Sequence, residues 1–177
     1  MQKFNPKQNI QKKRGFSLLE LLVYIAILSI LVIVISNTFI SLSKGRGQSQ
    51  AKSEVHSAIR FATELLRQDI KNASVITTPI SGGSSSTLTL TRGGVTIVYD
   101  TLGGILRRKE GVAPPVDVTN SSIFVNTPTF TRIENTNVVF SATDITIKIN
   151  MMFSYNSTSP DWNYSTSLQT TVNLYAS

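Results

Sequence analysis

The side chains able to do chemistry are few and scattered. The single histidine, His56, has no second histidine and no cysteine to join it, so a zinc site lacks its donors. It reads as a partly exposed helix residue. Serine, aspartate and histidine all occur, but no Gly-x-Ser-x-Gly turn presents a nucleophile. Asp100, Asp117, Asp144 and Asp161 lack EF-hand spacing, and Asp161 has only loop oxygens near it as partners for a Ca²⁺. No catalytic set, metal or cofactor is therefore expected, and the chain reads as a non-enzyme. Arg107-Arg108-Lys109 is the one basic knot beyond residue 74. It can be a phosphate contact to DNA, which needs only exposed cations. Strand-end cations followed by Glu110 and Gly111 more often mark a solvated edge that resists aggregation, and that reading is preferred. Trp162, in a polar loop, is either an exposed contact for partners or a lid turned onto a sheet. The sequons at Asn72, Asn120, Asn156 and Asn163 are expected by chance in so Asn/Ser/Thr-rich a chain. The odd residue is Glu20, a carboxylate at the mouth of a long apolar run. Such a group costs about 2.5–3.5 kcal/mol near the middle of a membrane helix and less near an interface.

The elements that carry these residues are legible from charge and periodicity. The 177 residues suggest one globular domain plus an extra segment. The formal charge of +7 is concentrated at the front: Lys3, Lys7, Lys12, Lys13 and Arg14 have no acid among them, and residues 16–177 carry 12 basic against 10 acidic groups. A chain-wide basic surface for nucleic acid is thereby excluded. With no cysteine, thiolate metal sites, redox motifs and disulfides are excluded too.

Leu21 to Ser43 is free of charge and proline and rich in Leu, Ile and Val. As a helix it reaches about 35 Å, enough for a bilayer core of about 30 Å. Five cations precede it, and Lys44, Arg46 and Lys52 follow, which favours the N-terminus in the cytoplasm and the rest outside. Beyond it, Ala51, Val55, Ala58, Ile59, Ala62, Leu65, Leu66, Ile70 and Ala73 recur at three- and four-residue spacing, with Lys52, Glu54, Arg60, Glu64, Arg67 and Lys71 opposite. Residues 17–73 are thus expected as one long helix, with a weak point at Gly45-Arg46-Gly47. From Ser74 on, 40 of 104 residues are Ser, Thr or Asn and 12 are charged, a composition for strands and turns. Leu88–Arg92, Val95–Tyr99 and Ile105–Arg108, separated by Gly93-Gly94 and Gly103-Gly104, read as a three-stranded meander. Pro114, Pro115 and Pro128 mark residues 110–136 as an irregular crossing. Ile145, Ile147, Ile149, Met151 and Phe153 then share one face of a strand, residues 156–165 form a loop, and Leu168, Thr170, Val172 and Leu174 form the last strand.

Lys12-Lys13-Arg14-Gly15-Phe16-Ser17-Leu18-Leu19-Glu20 resembles the N-terminal signal of type IV pilins and pseudopilins, the class III signal peptide. The resemblance covers about residues 1–45. It implies a leader, residues 1–15, recognised through Lys12, Lys13 and Arg14. A prepilin peptidase would cut it between Gly15 and Phe16 and methylate the new amine of Phe16. It further implies that Glu20, fifth in the mature chain, pairs with the terminal amine of an adjacent subunit during assembly. Many major pilins carry a proline partway along this helix, where Asn37 stands here. Leu65 to Ala73 also looks like the helix end of J-type pseudopilins, through Arg67, Asp69, Ile70 and Ala73; on the residues alone, Arg67 and Asp69 equally fit a solvated helix face.

The fold class implied is α+β, the pilin lollipop: a transmembrane and assembly helix (16–43), an amphipathic helix (44–73) and an antiparallel β head (74–177). The function implied is a minor pilin or pseudopilin of a type IV pilus, a type II secretion pseudopilus or a competence filament. Its partners would be sibling subunits, the peptidase, a membrane assembly platform and, before assembly, membrane lipid. The rivals are a filament-borne DNA- or surface-binding module and a signal-anchored secreted binding protein cut after Ser41-Leu42-Ser43.

Overall fold

The computed structural model describes residue 15, residues 17–137 and residues 142–174. A single helix, α1 (Leu18–Lys71), takes up the apolar run and the amphipathic stretch. By contacts, the chain divides between Ser43 and Lys44 into two compact units.

In the first unit every described side chain of α1 is exposed, Leu18, Ile30 and Phe39 among them. An α-helix apolar on all sides is unstable in water and needs lipid or other helices around it. Its few hydroxyls are matched to that demand. Ser29, Thr38 and Ser41 each donate to the carbonyl four residues back, at 2.8, 2.9 and 3.0 Å. No polar group is thereby offered to hydrocarbon without a partner at those positions.

In the second unit one stripe of α1 is buried: Gly47, Ala51, Val55, Ala62, Leu66, Asp69 and Ile70. Of the predicted apolar positions, Ala51, Val55, Ala62, Leu66 and Ile70 lie on it, and Ala58, Ile59 and Leu65 are half-buried beside it. Asp69, for which a solvated face was one of two equal readings, lies on it too. The stripe faces two antiparallel sheets, where the sequence pattern suggested one. The first has the order β1-β3-β4-β5-β6, made of β1 (Val75–Thr78), β3 (Leu88–Arg92), β4 (Val95–Leu102), β5 (Ile105–Glu110) and β6 (Val116–Asp117). The second runs β10-β9-β8-β2, from β10 (Ser165–Asn173), β9 (Ala142–Tyr155), β8 (Thr129–Asn137) and β2 (Ser84–Ser85), with β7 (Ile123–Val125) also on β9.

The meander forms as predicted, as β3, β4 and β5. Both of its turns are glycine pairs with positive φ throughout, 56° and 81° at Gly93-Gly94, then 61° and 79° at Gly103-Gly104. A tight hairpin between right-twisted strands needs that backbone, and side chains resist it. The region 110–136 departs from expectation. It contributes β6, β7 and most of β8, with irregular chain left only between them, at 111–115, 118–122 and 126–128. Strand β8 reads Thr-Phe-Thr-Arg-Ile-Glu-Asn-Thr-Asn, too polar for alternation to reveal it, and it forms because β9 supplies a partner for its whole length. One core joins Leu66 and Ile70 to Leu88, Ile97 and Leu106 of the first sheet and to Phe130, Ile149 and Phe153 of the second. Each such side chain contributes about 1.5–3 kcal/mol by leaving water.

Candidate functional site

At the N-terminal end, α1 opens with Leu21 N–H donating to Ser17 C=O at 3.1 Å, and Glu20 stands in its first turn. A carboxylate there faces unsatisfied N–H groups and the positive end of the helix dipole. The Tyr24 hydroxyl donates to Glu20 Oε1 at 3.4 Å from one turn further along. Gly15 is exposed. Phe16 and the basic residues Lys12, Lys13 and Arg14 lie outside the described residues. An exposed apolar helix therefore begins with one acidic side chain in its first turn, five residues after Gly15. A family model described as the prokaryotic N-terminal methylation motif matches residues 10–36.

The chain carries the N-terminal methylation motif. With the long apolar helix behind it, the motif fits a member of the type IV pilin family and marks a membrane-anchored protein. The motif spans Gly15, Phe16 and Glu20, the residues singled out from sequence. No curated protein and no solved structure matches the chain.

Behind the methylation motif, the second unit turns the basic knot into something other than an open patch. Strand β5 is not an edge, because β4 and β6 pair on either side of it. Arg107 faces Asp100 in register and grips it twice, Nε to Oδ1 at 2.9 Å and Nη2 to Oδ2 at 2.8 Å. That hydrogen bonding holds the Arg107 guanidinium above its ordinary pKa. Arg108 Nε donates to Asp69 Oδ2 at 2.7 Å, and its Nη1 donates to Glu110 Oε2 at 2.6 Å. Burial works to lower the Arg108 pKa, but the bonds to Asp69 and Glu110 prevail and raise it. Lys109 is exposed. The solvated-edge reading is corrected by this geometry, and the DNA reading loses its physical basis at Arg107 and Arg108. Two of the three cations already hold carboxylates, and a phosphate would have to displace them.

Asp69, for which the sequence left a solvated helix face as an equal reading, is the centre of this network. Its side chain is completely buried. Oδ1 accepts from Arg92 Nη1 at 2.5 Å, and Oδ2 accepts from the Tyr99 hydroxyl at 2.6 Å as well as from Arg108. Glu110 closes the ring, with Arg92 Nη2 at 3.6 Å from its Oε1. Two arginines, two carboxylates and a phenol thus tie the end of α1 to β3, β4 and β5 with no net charge. Burial drives the Tyr99 pKa far above its ordinary value, and the bond to Asp69 adds to the shift. A signal was available: Asp69 falls between Leu66 and Ile70, inside the apolar stripe, where a solvated carboxylate has no place.

A third cluster joins the loop before β10 to the start of the buried stripe. Asp161 meets Lys44 at 3.3 Å, so this carboxylate is an ion-pair partner. Trp162, in a short 3₁₀ turn at Pro160–Trp162, lies against Gly47 so closely that a methyl group there would overlap the indole. Trp162 covers the helix at Gly47, where the lid reading had placed it over the sheet, and it keeps 39% of its surface exposed. His56 Nε2 is 3.1 Å from the Tyr164 hydroxyl, and the Lys52 ammonium sits 5.7 Å from the centre of the Tyr164 ring. Among the described residues no group of three His, Cys, Asp or Glu side chains gathers in a way that could hold a metal.

Proposed function

We propose that the chain is a minor pilin or pseudopilin, a structural subunit that catalyses nothing. It inserts in the membrane with its N-terminus in the cytoplasm. The peptidase removes residues 1–15 and methylates Phe16, and the chain then joins a filament through its apolar helix. The observation that carries this reading is the methylation motif at residues 10–36 running into a helix with no buried residue before Gly47. The leader cations hold the precursor at the cytoplasmic face until cleavage removes them. Glu20 then sits at the edge of hydrocarbon, and a neighbouring subunit's terminal amine relieves the cost of its charge. The ion-paired head supports a structural role. Ser41-Leu42-Ser43 lies inside α1, whereas a signal peptidase needs extended chain at its cut, which weighs against the secreted-protein reading.

Mass spectrometry of the mature N-terminus tests this directly. The expected terminus is Phe16 carrying one methyl group on its amine, absent from cells that lack the peptidase. A mature chain that begins at Lys44, or one that retains Met1, overturns it.

A further inference from the structure

The C-terminal strand β10 pairs only with β9 among the described residues, so its other side is an open sheet edge. Which backbone groups face outward follows from the register. Leu174 N–H donates to Ile145 C=O, and Tyr155 N–H donates to Tyr164 C=O, at 2.9 and 2.8 Å. Both pairs continue the ladder that joins Ser165 to Ser154 and Asn173 to Thr146. In an antiparallel ladder the hydrogen-bonded pairs alternate, so the even-numbered residues bond to β9. Ser165, Ser167, Gln169, Thr171 and Asn173 therefore direct their N–H and C=O groups away from the sheet.

This edge lacks the usual guards. Natural edges are blunted by shortness, charge, proline or a bulge. The other sheet margins follow that practice: β1 has four residues, an irregular register and Pro79 behind it, and β2 and β6 have two residues each. Strand β10 has nine residues with no charge and no proline. Beside it runs α1, and the two line a groove of about 510 Å³, with Thr63 on the helix and residues 170–173 on the strand among its walls. The Thr63 hydroxyl oxygen is buried and has no hydrogen-bond partner among the described residues. A buried hydroxyl in that state calls for a partner from outside the chain.

We propose that this edge is an interface between two copies of the chain, paired antiparallel through β10 about a two-fold axis at Gln169. That axis sets Ser165 against Asn173, Ser167 against Thr171 and Gln169 against its own copy. All five outward-directed residues of each strand are then used, in about ten hydrogen bonds. The side chains agree with the register. On the outer face every pair is polar and neutral, while on the face turned to the core Thr166 meets Val172 and Leu168 meets Thr170. Like charges opposed across a strand pair repel, and this strand has none to oppose. Thr166 of the second copy, opposite Val172, brings a hydroxyl to the groove that holds Thr63. The two helices run in opposite directions in this pair, because α1 keeps the direction of β10: Gly47 meets Trp162, and Thr63 lines the groove with residues 170–173. The interface thus joins heads that approach from opposite sides, and it is independent of any parallel packing of apolar helices.

The test uses the full chain in detergent micelles. The chain has no cysteine, so one introduced thiol reports one position. Under mild oxidation Gln169→Cys should give a disulfide-linked dimer, since a hydrogen-bonded pair has its Cα atoms about 5.5 Å apart, within disulfide reach. Ser167→Cys and Thr171→Cys should each stay monomeric alone, because each thiol lies about 14 Å from its own copy. Mixed together, they should link. Asn150→Cys, which faces Gln169 from β9, should not link. Gln169→Pro removes an N–H that β9 does not use, so it should abolish the mixed link and leave the circular dichroism spectrum unchanged. The proposal is overturned if Gln169→Cys stays monomeric. It is overturned equally if Ser167→Cys and Thr171→Cys link alone as readily as together, the mark of random collision or of parallel helices sharing a micelle. A mixed link that survives Gln169→Pro also overturns it.

Discussion

Trp162 lies directly on Gly47, and only the missing side chain of the glycine makes room for the indole. A glycine within a helix costs about 1 kcal/mol relative to alanine. Here that cost secures a contact between the helix and the loop before β10. Gly47→Ala should therefore destabilise the protein by about 1–3 kcal/mol, the usual range for overfilled packing. In a Trp162→Ala background the same change should stabilise it, because only the helix preference remains. Trp162 is the one tryptophan in the chain, so its emission reports the displacement alone. Chemical denaturation of the four proteins checks the reversal of sign, and additive effects would sink the account.

Asp69 holds Arg92, Arg108 and Tyr99 at once from a fully buried position. Removing one member of a buried charge cluster leaves the others desolvated and unpaired. Asp69→Ala is expected to cost about 3–5 kcal/mol. Arg92→Gln should cost less, because about a third of the Arg92 side chain is exposed and water can replace its partner. Denaturation midpoints followed by far-ultraviolet circular dichroism give both numbers. An Asp69→Ala midpoint close to that of the unaltered protein would contradict the network.

Two groups set the pH limits of the head in opposite directions. Tyr99 has a raised pKa in the folded state, chiefly through burial, from an ordinary value of 10.0. The folded protein holds that proton longer than the unfolded chain, so its contribution is full below about pH 10 and falls as pH rises above it. Tyr99→Phe should flatten the alkaline limb of the stability curve. Glu134 has a lowered pKa, from an ordinary value of 4.5: the Ser81 hydroxyl lowers it most, burial opposes, and the charge and hydrogen bond of Arg132 lower it further. Its contribution is present above pH 4.5 and is lost as pH falls through the depressed value. Glu134→Gln should flatten the acid limb. Unfolding midpoints measured across pH decide both, and an unchanged limb in either variant refutes that assignment.

Glu20 is expected to matter for assembly and not for insertion. Glu20→Ala removes a carboxylate from the mouth of an apolar helix, which should leave membrane insertion equal or better. Filament incorporation should drop about tenfold or more, since a neighbour's amine then enters hydrocarbon without its counter-ion. Membrane fractionation and the yield of sheared filaments separate the two effects. Normal yield from the variant would remove Glu20 from the assembly step.

The local features were open to reading because each depends on residues near one another in the chain. The apolar run, the stripe from Ala51 to Ile70, the two glycine-pair turns and the alternation from Ile147 to Phe153 all follow from side-chain period or from the backbone freedom of glycine. The methylation motif belongs to the same class, being a contiguous string. Tertiary structure decided what local pattern leaves undetermined. Strand β8 exists because β9 pairs with it, and Asp69 is buried because three donors from β3, β4 and β5 converge on it. Arg108 joins a closed ring and leaves solvent, while Trp162 finds the gap at Gly47 more than a hundred residues away. A polar side chain carries no mark of its partner. Whether a charge is solvated or paired in the core depends on long-range pairing, and that is settled only when the chain closes on itself.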